Sequence, residues 1–549
     1  MSIFNSCFGL KDDDDKSYPN TILTQSPSKP RSSIHNSVLE TIGKTPLVRL
    51  PPNSKTNPTT SNLYLKLECE NPGGSVKDRL SIAVIEWAEQ SGKLEKGQTV
   101  IEASSGNTGI GMAMVCAQKG YPYVCVMAES FSIERRKLMR FLGAKVILTN
   151  PAHKGTGMLI KTKALADKHG YFWPNQFENE ANAWIHEKTT GPEILNAFQQ
   201  ASMKIDHFVC SYGTGGTLLG VGKYLRKHSP QTKIHVCEPS NAPMLFSDIP
   251  TEYPPEKQDE NGHANENGNG HSDEFPSTSF KVPHPVWRPH LLQGWATDFI
   301  PKLVSSATEK KLYDSVLHVG GNDAIETAQV LATNNGILSG VSGGGTLFAA
   351  ISFAKKLNKK ANIVVMIPDT GERYLSTPLF ENIPADMTEE EKEIADSVPS
   401  TAPPAPGLPP PTQEATEWVQ KEAKSSPVVI FSLEYCEFCW TLTSFLDALG
   451  VSYHKIDIDS FEYAKDNLGN KYRASLCEWT KCNTFPQFFV NGNFHGGAVD
   501  ACMMWKKEKL QDLFKKAGIK GGDDNFNNYN GDPFEFLPKW MTQNPLRSK

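Results

Sequence analysis

"LYLKLECENPGGSVKDRLSIAVIEWAEQSG", residues 63–92, packs three local signals into one short stretch. "LYLKLE" (63–68) is an apolar strand pattern, "NPGGS" (71–75) supplies turn residues, and "VKDRLSIAVIEWAEQSG" (76–92) shifts to a helical period. A loop of small residues before a helix lets a ligand approach the backbone. The helix N-terminus then offers free N–H groups and a partial positive charge, which suits anions. The same design returns in "EASSGNTG" (102–109), "SYGTGGTLLG" (211–220) and "SGVSGGGT" (339–346). Any one of these is also readable as a tight turn; four in one region point to ligand binding. None closes with the Gly-Lys-Ser/Thr of a nucleotide-phosphate loop, and none keeps the full dinucleotide glycine spacing.

Outward from this stretch the alternation continues. "TVIEAS" gives way to "GIGMAMVCAQKG", "YVCVMAE" to "SIERRKLMRFLG", and "KVILTN" follows. Residues 36–382 therefore predict an α/β region with a largely parallel sheet covered by helices. Lys77, placed directly after the first loop, reads either as a solvated lysine or as a reactive amine. At a helix start its charge opposes the dipole, which favours a lowered pKa. An amine beside several anion-binding loops suits an aldehyde cofactor that carries a phosphate.

The chain has 549 residues, with 38% hydrophobic and 21% charged residues and a net charge of -5. That length calls for several domains, and the small net charge makes no electrostatic case for nucleic acid. No apolar run approaches a membrane span. Eleven scattered cysteines do not form a secreted disulfide framework, so a reducing, cytoplasmic setting is expected. Residues 1–35 read as disordered; their "DDDDK" also matches an enteropeptidase site, which leaves an engineered origin open. Residues 251–280 form a polar, low-complexity insertion whose histidines show no repeating ligand spacing. Residues 383–426 begin acidic and turn Pro-rich, a linker whose Pro-rich part spans roughly 40 Å at about 3.1 Å per residue. A compact unit follows at 427–520, with strands at "PVVIFSL" and "SYHKIDID", a helix at "WTLTSFLDALG" and a hairpin at "QFFVNGNFHGG". In the tail, 521–549, the aromatics of "PFEFLPKWM" are candidates to dock on a neighbouring surface.

Seven motifs of the large region, in order, carry a family resemblance: "TIGKTPLVRL" (41–50), "NPGGSVKDR" (71–79), "SSGNTG" (104–109), "NQFENEAN" (175–182), "HEKTTGPEI" (186–194), "GTGGT" (213–217) and "PDTGERYLST" (368–377). The region resembles the cysteine synthase and cystathionine β-synthase family, pyridoxal-phosphate enzymes of fold type II with two α/β subdomains. The resemblance implies that Lys77 is the Schiff-base lysine and the base for the substrate's α-proton. It places the cofactor phosphate on Gly213, Thr214, Gly215, Gly216 and Thr217, the ring hydroxyl on Asn107, and the ring nitrogen at Ser342. Ser104, Ser105, Thr108 and Gln176 fall where the family grips the substrate carboxylate. A serine at the ring nitrogen does not hold it protonated, which favours β-elimination and replacement over transamination. In "LLQGWATDFIP" (291–301), Trp295 and Asp298 match neither the synthase pattern nor the cystathionine one, so the choice of nucleophile stays open. The absence of a recognisable haem segment and of tandem regulatory domains favours cysteine synthase. A homodimer and a serine acetyltransferase partner belong to the same expectation.

"EYCEFCW" (434–440) sets two thiols three positions apart, after an apolar strand and at a helix start. A half zinc site completed by Cys477 and Cys482 is one reading. The other is redox chemistry, since a helix N-terminus lowers a thiol's pKa. With "TFPQFFVNG" (484–492) and "GGAVD" (496–500), the unit resembles a glutaredoxin of the thioredoxin fold. The resemblance implies Cys436 as attacking thiol, Cys439 as resolving thiol and Pro486 as a cis-proline. It places Thr484, Phe485, Pro486, Gly497 and Asp500 along a glutathione groove. Leu433, where the family has a lysine, and Glu437, in place of a proline, depart from the pattern and bear on glutathione affinity and thiol pKa. Three explanations of the fusion stand: a dithiol that reduces S-sulfocysteine made from thiosulfate, a redox sensor, or a scaffold for an iron–sulfur cluster.

Overall fold

The computed structural model describes residues 34–251, 283–398, 407–521, 529 and 531–537. The 251–280 insertion, nearly all of the N-terminal 1–35 segment and most of the 521–549 tail lie outside the described residues. The chain divides into two compact units, residues 1–388 and 389–549.

The first unit holds two sheets. Strands β1 (Leu47–Leu50), β2 (Asn62–Leu67), β6 (His207–Ser211), β7 (Lys233–Pro239), β8 (Ser315–Val319) and β9 (Asn362–Ile367) form the larger, in the order β1-β2-β9-β6-β7-β8. Every pairing is parallel except β1 with β2. Strands β3 (Val100–Ala103), β4 (Tyr123–Ala128) and β5 (Lys145–Thr149) form the smaller, all parallel. The two sheets account for the two α/β subdomains. Strands β2, β3 and β4 are buried at every residue, the pattern of parallel strands covered by helices on both faces. Each of the four small-residue loops leads into a helix, starting at Lys77, Asn107, Gly216 and Val341.

One buried ion network fixes the first of these helices. The fully buried Arg79 guanidinium donates to Glu68 Oε2 at 2.7 Å and to Glu193 Oε1 at 2.8 Å. Glu193 also accepts from Lys66 Nζ at 2.6 Å. Loop, strand β2 and the helix Gly191–Gln200 are thereby tied together two residues from Lys77. Removing one partner of such a buried pair costs about 3–5 kcal/mol, because the other charge is left uncompensated.

The second unit carries β10 (Val428–Ser432), β11 (His454–Asp457), β12 (Gln487–Val490) and β13 (Asn493–Phe494), ordered β11-β10-β12-β13. β10 runs parallel to β11 and antiparallel to β12, the mixed sheet of a thioredoxin fold. The β12–β13 hairpin turns on Asn491 and Gly492, both at positive φ, the two-residue turn that Asn-Gly favours.

The stretch read as a linker, 383–426, is more structured than its composition indicates. It contains the exposed helix Glu389–Asp396 and the helix Gln413–Glu422. In the latter Val419 is fully buried and Trp418 stacks on Tyr472 with centroids 3.8 Å apart, so this helix belongs to the second unit's core. Proline-rich flanks masked its short amphipathic period. Of "PFEFLPKWM", residues 533–537 are described. Phe536 lies 6.1 Å from Phe445, and Thr441 Oγ1 donates to the Phe536 carbonyl at 3.4 Å, so the tail docks on the second unit.

Candidate active site

One cavity of the first unit gathers side chains that lie far apart in sequence. Its wall includes Lys77, Asn107, Gly213–Thr217, Gln293, Trp295, Ser342 and Asp369. Among the described residues Lys77 is the one amine in that wall. Burial strips its ammonium of solvent and pulls its pKa down to about 8, with Asp369 acting in the opposite sense. The expected lowering is present, and burial is its main cause.

Asp369 organises the far side of Lys77. Its Oδ2 accepts from Asn107 Nδ2 at 2.6 Å and from the Tyr374 hydroxyl. Arg373 Nη1 in turn donates to Asn107 Oδ1 at 3.3 Å, so the Asn107 amide is clamped at both ends. Ser342 Oγ donates to the Gln293 carbonyl at 2.9 Å. Thr214 Oγ1 accepts from Asn182 Nδ2 at 3.0 Å, and Thr217 Oγ1 lies 3.3 Å from His186 Nε2. Burial, then the charge of Arg79, pulls His186 down to about 3 and keeps the ring neutral.

Three of the four residues assigned to the substrate carboxylate are buried and hydrogen-bonded within the protein. Ser104 Oγ accepts from the N–H groups of Gly106 (3.1 Å) and Gly109 (2.9 Å). Thr108 Oγ1 donates to Gln176 Oε1 at 2.6 Å, and Gln176 Nε2 donates to the Ala103 carbonyl at 2.6 Å. Ser105 is partly exposed, and its carbonyl accepts from Arg135 at 3.1 Å. None of the four is part of the cavity wall itself.

The dithiol sits at the start of the helix Glu437–Ala448, with Cys436 as its N-cap. Cys436 Sγ accepts from the Cys439 N–H at 3.3 Å and donates to the Phe485 carbonyl at 3.6 Å. The Cys439 thiol, followed by backbone N–H groups, holds the Cys436 thiol down to about 7, against burial and a smaller opposing push from Glu437. Cys439 is buried, and its pKa is pushed up, first by its bond to Cys436 and then by burial. The Phe485–Pro486 bond is cis, and the Gly497 N–H donates to Asp500 Oδ2 at 2.8 Å. Among the described residues no group of three or more His, Cys, Asp or Glu converges as a metal site, so the four-cysteine zinc reading lacks a ligand set.

Residues 38–369 match the model of the pyridoxal-phosphate dependent enzymes. The chain belongs to that family. Residues 428–495 match the glutaredoxin model. A cysteine synthase of Staphylococcus aureus (strain Mu50) is 41% identical over 345 residues, 63% of this chain and 97% of the relative. The crystal structure of an O-ureido-L-serine synthase superposes with a TM-score of 0.56 at 37% identity, covering 66% of this chain and 100% of that one. The structure of a cysteine synthase from Entamoeba histolytica gives a TM-score of 0.53 at 30% identity, covering 68% of this chain and 97% of its own. This pyridoxal-phosphate enzyme is therefore cysteine synthase-like, acts on small molecules, and carries a glutaredoxin domain. No helix among its described residues is long and apolar enough to cross a membrane.

The residues of the cavity fit the family's cofactor. A Cβ at Gly213 would collide with the Gly294 carbonyl and one at Gly216 with Asn182 Oδ1, so the loop stays bare backbone. Gly215 has φ +92°, a conformation that glycine takes without strain. The helix Gly216–His228 starts on the cavity wall, and a helix N-terminus suits a phosphate. Asp369 Oδ1, Gln293 Oε1 and Trp295 Nε1 are buried with no hydrogen-bond partner among the described residues.

Sequence reasoning did not single out Asp369, Arg79 or Gln293. All three lie within quoted stretches; for the first two, a carboxylate two positions after an apolar strand and a second cation in the Lys77 helix were the available signals. Arg473 is a further cation near the dithiol, with its guanidinium 5.5 Å from the Phe485 ring centroid and Nε unpartnered. Trp295 lines the cavity, whereas Asp298 turns away and accepts from Thr156 Oγ1 at 2.9 Å.

Proposed function

We propose that this enzyme makes L-cysteine by β-replacement on an activated serine, O-acetylserine first, with sulfide or thiosulfate as the sulfur donor. The observation that carries the reading is the lowered pKa of Lys77 beside a bare-backbone anion cradle. Bound pyridoxal phosphate supplies the electron sink. Lys77 Nζ anchors it, then takes the substrate's α-proton once freed. Gly213, Thr214, Gly215, Gly216 and Thr217 hold its phosphate, the clamped Asn107 amide its ring hydroxyl, and Ser342 meets the ring nitrogen without protonating it fully. Ser104, Ser105, Thr108 and Gln176 take the substrate carboxylate, with the Thr108–Gln176 bond exchanged for one to substrate. Acetate leaves, and the sulfur donor adds at the β-carbon.

With thiosulfate the product is S-sulfocysteine. Cys436 thiolate attacks its cysteine sulfur and expels sulfite; Cys439 then attacks Cys436 and releases cysteine. The resulting Cys436–Cys439 disulfide is reset by two equivalents of a thiol of the glutathione class, held along Thr484, Phe485, Pro486, Gly497 and Asp500. Tethering two domains raises the local thiol concentration to roughly millimolar without any new contact. What supports this step is the thiol of Cys436 near pKa 7 at a helix N-terminus.

A homodimer, a serine acetyltransferase partner and a cytoplasmic location are proposed with it. A second reading, a nucleophile other than sulfide as in cystathionine β-synthase, is favoured by Trp295 on the cavity wall, which departs from the synthase pattern. A donor screen decides: purified enzyme with O-acetylserine is offered sulfide, thiosulfate or homocysteine, and products are identified by mass. Cysteine from the first two is expected. Cystathionine as the dominant product establishes the second reading instead.

A further inference from the structure

We propose that Cys477 and Cys482 form a second redox couple in the glutaredoxin unit, a dithiol that closes to a disulfide at the expense of a low-molecular-weight disulfide such as oxidised glutathione. Cys477 lies in the last turn of the helix Leu468–Thr480, and Cys482 lies two residues past its end. Between them Lys481 takes φ 56°, the left-handed turn that folds a chain back so that the second residue beyond a helix meets its final turn. That turn is held in place. The Cys482 N–H donates to Thr480 Oγ1 at 3.2 Å, Thr480 Oγ1 donates to Gln487 Oε1 at 3.0 Å, and Gln487 Nε2 donates to the Cys482 carbonyl at 2.7 Å.

Both thiols are free and partly exposed, unlike Cys116, Cys125, Cys210, Cys237 and Cys502, which are buried. Burial raises the Cys477 thiol, and Arg473 opposes this. Cys482, on the turn past the helix end, is the attacking thiol, and Cys477, in the helix's last turn, is the resolving one. Cys482 thiolate attacks one sulfur of oxidised glutathione and releases one glutathione, which takes up the proton Cys482 lost. Cys477 then attacks the Cys482 sulfur, and the second glutathione leaves with the proton from Cys477. Two protein thiols are oxidised and one glutathione disulfide is reduced.

The couple touches the same loop as the first dithiol. Cys482 Sγ donates to the Thr484 carbonyl at 3.7 Å, while Cys436 Sγ donates to the next carbonyl, that of Phe485, at 3.6 Å. Closing the disulfide removes the Cys482 S–H and frees the Thr484 carbonyl. The redox state of the second couple is thus written into the edge that faces Cys436.

The test uses the full chain carrying Cys436→Ser and Cys439→Ser, with wild type mapped in parallel so that nothing depends on the variant's folding. Each is exposed to oxidised glutathione, alkylated, and peptide-mapped by mass. Cys477 and Cys482 are expected to lose alkylation together and to be recovered joined. Adding Cys477→Ser is expected to trap a glutathione mixed disulfide on Cys482. Full alkylation of both thiols, separate glutathione adducts with no link, or pairing with another cysteine overturns the proposal.

Discussion

Burial acts on both reactive groups of this chain, with opposite consequences. At Lys77 it disfavours the ammonium and so enlarges the share of neutral, nucleophilic amine near neutral pH. At Cys436 it disfavours the thiolate, the reactive form, and so works against the chemistry. The amine site is therefore built as an enclosed cavity held by buried ion pairs. The thiol site is built at a half-exposed helix cap, where hydrogen bonds to the thiolate outweigh burial. An amine becomes reactive by losing water, a thiol by gaining donors.

The largest test of this contrast removes the amine. Lys77→Ala is expected to cut cysteine formation by at least about 10³-fold with every sulfur donor, while alkylation of Cys436 in the same protein keeps its rate. A shared loss would show that the two sites are not independent. Next comes the anchoring. Arg79→Met leaves the buried Glu68 without its cation and Glu193 with Lys66 alone, and is expected to cost about 3–5 kcal/mol of first-unit stability, read by denaturant unfolding. Unchanged stability would mean the ion network is not what holds the Lys77 helix.

The pH profiles sharpen the comparison further. Capture of pyridoxal phosphate by the apoprotein, followed by absorbance, should accelerate as pH rises through about 8, where the Lys77 ammonium loses its proton. Alkylation of Cys436 should accelerate as pH rises through about 7, the value at which its thiolate forms. At pH 7 its thiolate fraction is then roughly tenfold that of an ordinary cysteine. The smallest effect is Glu437→Gln, which removes an opposing charge and should move the Cys436 alkylation midpoint to lower pH. An upward move would contradict the role of Glu437.

The alternation of strands and helices made the α/β core readable, because parallel strands need continuous apolar runs and the crossover helices need their own period. The four loops were readable for the same local reason, and they converge on one cavity wall. Asp369 and Gln293 were not, because their importance rests on contacts distant in sequence, Asp369 with Asn107 across 262 residues and the Gln293 carbonyl with Ser342 across 49. The helix Gln413–Glu422 escaped because a proline-rich neighbourhood hides its two buried positions, Ala415 and Val419. Composition reports local solvation, whereas that helix is fixed by packing against Tyr472.

In the proposed function one chain makes a sulfur–sulfur bonded product at Lys77 and reduces it at Cys436. Wild type and Cys436→Ser are compared with O-acetylserine and thiosulfate, with glutathione present, and products are followed by mass. Wild type is expected to yield cysteine, the variant to accumulate S-sulfocysteine at the wild-type rate, and both to yield equal cysteine when sulfide replaces thiosulfate. Equal cysteine from both proteins with thiosulfate, or equal losses with both donors, would contradict it.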